Sequence, residues 1–178
     1  MKRRKYLASV VGLTASTGCL GRIASGNVSD PNKVVSVINA RGHVEGNTVT
    51  VEVVDDEITP DSTARISLRF TNESNQTIKL HFRPDHPEPL HSEPDDVTPA
   101  LMLFSDTFNP ERVSPHCWKP KEVPAFRPVL TEYRLNPGHS VTMEYEVWAS
   151  PNQDADCIQA KKYLFEHPEA SFELQVTQ

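Results

Sequence analysis

Residues 64–82 read ARISLRFTNESNQTIKLHF, and the pattern of this stretch indicates the fold class. Apolar and polar side chains alternate through residues 64–70 and again through residues 76–82. A period of two residues is that of a β-strand with one buried face. Because the intervening residues 72–75 (NESN) favour a turn, we expect the two segments to form a β-hairpin.

The rest of the chain repeats this pattern in short segments. Residues 48–54, 141–147 and 172–176 alternate in the same way, whereas residues 100–104 (ALMLF) are apolar throughout, as in a strand covered on both faces. Only residues 154–164 (DADCIQAKKYL) suit a helix, and a short one. Several short strands in a chain of 178 residues predict an all-β protein, a β-sandwich of two sheets around one core.

Proline is concentrated in residues 84–128, which contain ten of the 15 prolines. Proline has no N–H to donate to a sheet, so most of this region is predicted to be a long loop around the strand at residues 100–104. Long irregular connections often carry functional residues.

Two passages resemble known domains. Residues 64–82 resemble the early strand, turn and return strand of immunoglobulin-like domains of secreted proteins. Residues 134–148 (RLNPGHSVTMEYEVW) resemble the L-x-P-G-x-S…W passage of the BsuPI-type domain, named after the intracellular proteinase inhibitor of bacilli. Both resemblances imply an immunoglobulin-like β-sandwich more than any activity; inhibition of a protease is the activity that the second one suggests.

The first 19 residues, MKRRKYLASVVGLTASTGC, have the order of a secretory signal, with a basic head, an apolar run and small residues before Cys19. The apolar run is far shorter than the about 20 residues that a membrane-spanning helix needs. Arg3 and Arg4 form a twin-arginine export mark, and residues 16–19 (STGC) resemble a lipobox. The whole stretch resembles the N-terminus of the twin-arginine-exported lipoproteins of halophilic archaea.

These features predict a signal peptide at residues 1–18, a lipid anchor and flexible tether at 19–32, and a β-sandwich domain at 33–178. The lipid on Cys19 would hold the protein on the extracytoplasmic face of the cell membrane. The alternative is an amphipathic or disordered N-terminus with a chance cysteine.

Of the three cysteines, Cys117 and Cys157 remain once Cys19 carries the lipid. Outside the membrane thiols meet oxidising conditions, so we expect a disulfide between them. The alternative is that one of them acts as a thiolate ligand or a nucleophile.

The charge balance is acidic, with 18 basic and 24 acidic residues and a formal net charge of −6. Without the four basic residues of the signal, fourteen basic residues remain against 24 acidic ones, a charge of about −10. Such a surface repels phosphate backbones, which argues against nucleic acid as a partner.

Residues 81–93 (HFRPDHPEPLHSE) combine imidazole and carboxylate groups, which together can bind zinc or copper. The candidate ligands are His81, Asp85, His86, His91 and, further along, His116. We favour the alternative that these are solvated side chains of an acidic, proline-rich loop and that the protein holds no cofactor.

The residues Asn72 and Asn75 each begin an N-glycosylation sequon, and both fall in the predicted turn, where we expect them to be exposed. Trp148 falls on the polar side of its segment, so we expect it at the strand end or beneath a crossing loop, with ligand binding as the alternative. Trp118, beside Cys117, is expected to pack against the disulfide.

No catalytic motif is recognised: the sequence has no G-x-S-x-G elbow, no H-E-x-x-H and no glycine-rich phosphate loop. We therefore interpret the chain as a membrane-anchored binding or interaction module, whose partner is a protein or small ligand at the cell surface. The alternatives are a metal-binding or metal-delivery lipoprotein that uses residues 81–91, and a secreted hydrolase.

The anchor is tested by Cys19→Ser. We expect this variant to move from the membrane fraction to the soluble fraction, because it removes the thiol that the lipid modifies. The measurement is fractionation of cells, with mass spectrometry of the peptide that begins at residue 19. A Cys117→Ser, Cys157→Ser double variant should stay on the membrane; wild-type protein with an unmodified Cys19 would contradict the prediction.

Overall fold

The computed structural model describes residues 32–85, 87–93, 100–114, 117–122, 132–151 and 157–178. This part of the chain contains no helix at all, so it offers no helical segment that could cross a bilayer. Its strands are β1 (Lys33–Gly42), β2 (Asn47–Asp55), β3 (Glu57–Ile58), β4 (Arg65–Asn72), β5 (Ile78–Leu80), β6 (Leu90–His91), β7 (Leu101–Phe104), β8 (Arg112–Ser114), β9 (Cys117–Pro120), β10 (Tyr133–Leu135), β11 (Ser140–Ala149), β12 (Lys162–His167) and β13 (Ala170–Thr177).

Two antiparallel sheets make up the body of the protein. One has four strands in the order β12-β13-β1-β3, and the other has five in the order β2-β4-β11-β7-β6. A single core of buried apolar side chains, contributed by both sheets, lies between them. The expectation of an all-β, two-sheet sandwich is confirmed.

The alternation of apolar residues sets the register of the five-stranded sheet. On β2, β4 and β11, Val51, Leu68 and Met143 lie side by side, and all three point into the core. The next row is Val53, Ile66 and Tyr145. Slipping one strand by a single residue would turn its whole apolar set to solvent, so the pattern specifies one pairing.

The expected hairpin between residues 64–70 and 76–82 is wrong. β4 is a central strand whose two edges are already paired, with β2 on one side and β11 on the other. The chain therefore leaves the sheet after Asn72, and β5 pairs instead with β10, where Leu80 lies opposite Tyr133. Local alternation predicted the strands and could not reveal which edges were free.

The expected short helix at residues 154–164 is also wrong where the structure describes it. Residues 157–161 are irregular and residues 162–164 begin β12, while residues 152–156 lie outside the described part. Tyr163 and Phe165 alternate into the core, and Phe165 stacks on Phe172 of β13 with ring centroids 4.9 Å apart. Burial of these rings against the neighbouring strand outweighs any local helical preference.

Strand β7 is covered on both faces, as its unbroken apolar sequence predicts. One face joins the main core, and the other contributes Met102 and Phe104 to a second buried cluster with Trp148 of β11. Trp148 is 3% exposed and lies against Trp118 of β9, with ring centroids 5.1 Å apart. The β8–β9 hairpin therefore forms the crossing cover expected over Trp148.

Trp118 is held by contacts on several sides. Its indole N–H donates to the carbonyl of Thr59 at 2.7 Å, and the Arg112 guanidinium lies 4.0 Å from its ring centroid.

The neighbouring Cys117 forms a disulfide with Cys157, with Cα atoms 5.5 Å apart. This crosslink spans a separation of 40 residues and contributes up to about 4 kcal/mol on the chain-entropy estimate.

One side of the sandwich is closed by residues 87–93, which we call the edge segment. It contains β6, the edge strand of the five-stranded sheet. Beyond β6, Ser92 forms a bridge with Phe165 of β12, and the Glu93 N–H donates to the Leu164 carbonyl at 2.7 Å. The edge segment therefore links the two sheets and covers part of the core between them.

The second cluster is tested by Trp148→Ala. Deleting a buried indole leaves a cavity between β7 and the β8–β9 hairpin, so the free energy of unfolding should fall by about 3–5 kcal/mol. Equilibrium unfolding in urea measures the loss. Val54→Ala, at a residue 47% exposed on β2, should change it by less than about 0.5 kcal/mol; equal effects would contradict the packing described.

Candidate functional site

An apolar cleft opens between the two sheets where the edge segment joins them. Its floor includes Leu68, Phe70 and Met143 from one sheet and Phe172 from the other, and Glu88 of the edge segment lies on its wall. The centres of water molecules can occupy about 30 Å³ of it, enough for about two waters. An apolar cleft with a few convergent polar groups is the usual form of a small-ligand site.

Two polar groups face this apolar floor. The Tyr145 hydroxyl is buried, and its hydrogen bond is a weak one to Met143 Sδ at 3.8 Å. Burial raises the pKa of Tyr145 well above its ordinary value, and the nearby Glu88 carboxylate adds to this, so the hydroxyl keeps its proton. Within the described residues, Glu88 itself has no ion-pair or hydrogen-bond partner.

Glu169, in the β12–β13 turn, is a buried carboxylate beside the cleft, 2% exposed. Its Oε1 accepts the His81 backbone N–H at 2.8 Å and lies 3.3 Å from His81 Nδ1. Its Oε2 is 2.9 Å from His167 Nδ1, within ion-pair distance, but the alignment is not that of a hydrogen bond. Its carbonyl accepts the His43 N–H at 2.9 Å, so Glu169 joins three segments of the chain.

His167 lines the cleft and is partly buried there. Burial lowers the pKa of its imidazole below the ordinary value, and the carboxylates of Glu169 and Glu88 offset this only in part. The described residues that line the cleft include no Ser, Thr or Cys.

The candidate metal ligands that the structure describes, His81, Asp85 and His91, are not gathered at one point. His81 pairs with Glu169, Asp85 pairs with Arg83 at 3.1 Å, and His91 lies in β6 opposite Met102. Across the described ranges no three His, Cys, Asp or Glu side chains come together in a way that could hold a metal ion. His86 and His116 lie outside the described residues.

The two candidate glycosylation sites differ. Asn75 is exposed, but Asn72 is fully buried and its amide is occupied. The Asn72 Nδ2 donates to the carbonyls of Gln76 (2.7 Å) and Leu135 (2.8 Å), and its Oδ1 accepts from the N–H and hydroxyl of Ser74. A sugar on Nδ2 would displace these bonds, so in the folded chain Asn75 is the accessible member of the pair.

The sequence pattern did not single out Glu169, Tyr145 and His167 as site residues. The tripeptide His-Pro-Glu occurs twice, at residues 86–88 and 167–169, but a repeat this short does not predict that its copies come together. Glu88 from the first copy and His167 from the second meet at the cleft. The export residues Arg3 and Arg4 and the anchor Cys19 lie outside the described part of the chain.

The buried imidazole predicts a pH dependence of stability. Because the pKa of His167 is lower in the folded state than the about 6.5 of an unfolded chain, the unfolded state binds more protons and stability falls as the pH drops below about 6.5. Partial burial lowers the pKa of His91 too, with the same sign. Urea unfolding at a series of pH values measures the trend.

His167→Gln should flatten this dependence, since glutamine does not titrate. The exposed His139 provides the matched control, because His139→Gln leaves the cleft intact. An unchanged slope in His167→Gln would show that another group carries the acid sensitivity.

The passages that resemble known domains lie in β4, β5, β10 and β11. Gly138 has φ +73° in a turn closed by a hydrogen bond from the His139 N–H to the Asn136 carbonyl, so Pro137 and Gly138 form the tight turn that starts β11. No family model, no curated protein and no solved structure matches this chain. The immunoglobulin-like and BsuPI-type resemblances therefore stay predictions.

Proposed function

We propose that this protein is a binding module, held by a lipid on Cys19 at the extracytoplasmic face of the cell membrane, and that it binds its ligand in the cleft between the sheets. The observation that supports this most directly is the cleft itself, in which an apolar floor meets Tyr145, Glu88 and His167. Such a combination gives affinity through the floor and orientation through the polar groups.

The proposed location is supported by two features that are independent of the cleft. The leader with Arg3, Arg4 and Cys19 has the order of a lipoprotein export signal. The disulfide between Cys117 and Cys157 suits an oxidising compartment outside the cytoplasm.

Binding in the cleft is tested by Leu90→Trp. Leu90 is half-buried on the edge segment and lines the cleft, so an indole at this position would fill the opening. The full-length lipoprotein is purified from its own membrane, and the molecules that accompany it are quantified by mass spectrometry. We expect Leu90→Trp to lose a component that wild type retains.

Leu164→Trp is the matched control, because Leu164 is 41% exposed on β12 and does not line the cleft. It should retain what wild type retains, and thermal unfolding should show that both variants are folded. If wild type and Leu90→Trp carried the same components in the same amounts, the cleft would not be the binding site.

A further inference from the structure

We infer that the cleft selects a small organic cation whose charge is covered by methyl groups, that is, a quaternary ammonium head. This inference rests on the proposed binding function and adds the chemical class of the ligand. It is carried by the sign of the charge at the cleft, the nature of its walls and its size.

The charge at the cleft is negative. Glu88 lines it without a cationic partner among the described residues, and the buried Glu169 carboxylate lies behind His81 and His167. None of the described side chains that line the cleft is a lysine or an arginine. A carboxylate or phosphate ligand would meet the like charge of Glu88, whereas a cation would find a partner in it.

The walls are aromatic as well as apolar. Phe70, Phe82, Tyr145 and Phe172 all line the cleft, and the rings of Phe70 and Phe82 are 4.8 Å apart at their centroids. Aromatic faces attract cations through their quadrupoles, and the attraction grows when the cation is desolvated. Aromatic rings in the same cleft as a carboxylate favour a soft, weakly hydrated cation.

Hydrogen-bonding capacity separates a methylated cation from a primary amine. A primary ammonium brings three N–H donors, each of which needs an acceptor once water is removed. The side-chain acceptors of the described lining are chiefly the Glu88 carboxylate and the Tyr145 hydroxyl oxygen, because the Glu169 oxygens behind the cleft face the two histidines. A quaternary ammonium has no N–H to satisfy and presents methyl groups to the apolar floor.

The size of the cleft agrees with such a head. The cleft has room for the centres of water-sized spheres over about 30 Å³, which corresponds to a sphere about 3.3 Å in radius once a water radius is added on every side. A space of this size favours a compact head group, such as one of tetramethylammonium size, over a large aromatic ligand.

The test compares choline with 3,3-dimethyl-1-butanol, its uncharged carbon isostere, by calorimetric titration of the full-length lipoprotein at constant ionic strength. Choline should bind at least about tenfold more tightly, the equivalent of one partly screened charge pair. Glu88→Gln keeps the shape and removes the charge, so it should weaken choline about tenfold and leave the isostere unchanged. Glu166→Gln, at an exposed residue of β12, is the control and should change neither.

Equal binding of choline and the isostere would overturn the inference and leave a purely apolar binding site, so the proposed function would survive. Choline binding that neither Glu88→Gln nor Leu90→Trp weakens would place the cation elsewhere and also overturn it. If wild type bound neither probe, the cation inference would fall, while the comparison of Leu90→Trp with Leu164→Trp would decide the proposed function separately.

Discussion

The apolar face of β4 must be buried while both of its edges are hydrogen-bonded, and the rest of the sandwich depends on these two requirements. Ile66, Leu68 and Phe70 are at most 3% exposed, so a second sheet has to cover them. That sheet is built on β1 and β13, whose inward residues include Val35 and Leu174. With β2 and β11 occupying its edges, β4 forces the following segment, β5, out of the sheet and onto β10.

Backbone groups at the ends of a sandwich are buried without strand partners, and in this protein side chains satisfy several of them. Asn72 supplies donors to two carbonyls and an acceptor to Ser74, at the point where the chain leaves β4. Glu169 accepts the His81 N–H where β5 ends. A buried polar group without a partner costs about 1–3 kcal/mol, so these side chains are needed for the fold. The same requirement places a carboxylate and two imidazoles beside the cleft.

The edge segment connects the closure of the sandwich to the proposed binding site. Its Ser92 and Glu93 link the two sheets through β12, and a few residues earlier Glu88 and Leu90 line the cleft. A ligand in the cleft would therefore contact the segment that holds the sheets together on this side. Binding and stability are coupled in such an arrangement, because a ligand that binds only the folded state stabilises it.

The sequence by itself determined the strands and their buried faces, because alternation along residues 64–70 or 141–147 is a local property that one segment carries alone. It also predicted the cover over β7 and Trp148, since an apolar run and an apolar side chain on the polar side both require a second layer. The roles of Arg3, Arg4 and Cys19 are likewise predicted from the sequence alone. Only the tertiary structure decided that β5 pairs with β10, that residues 162–164 extend as a strand and that Asn72 is buried. It alone brought Glu88 to His167, because contacts between residues far apart in the chain depend on which edges and faces remain unpaired once the sheets have formed.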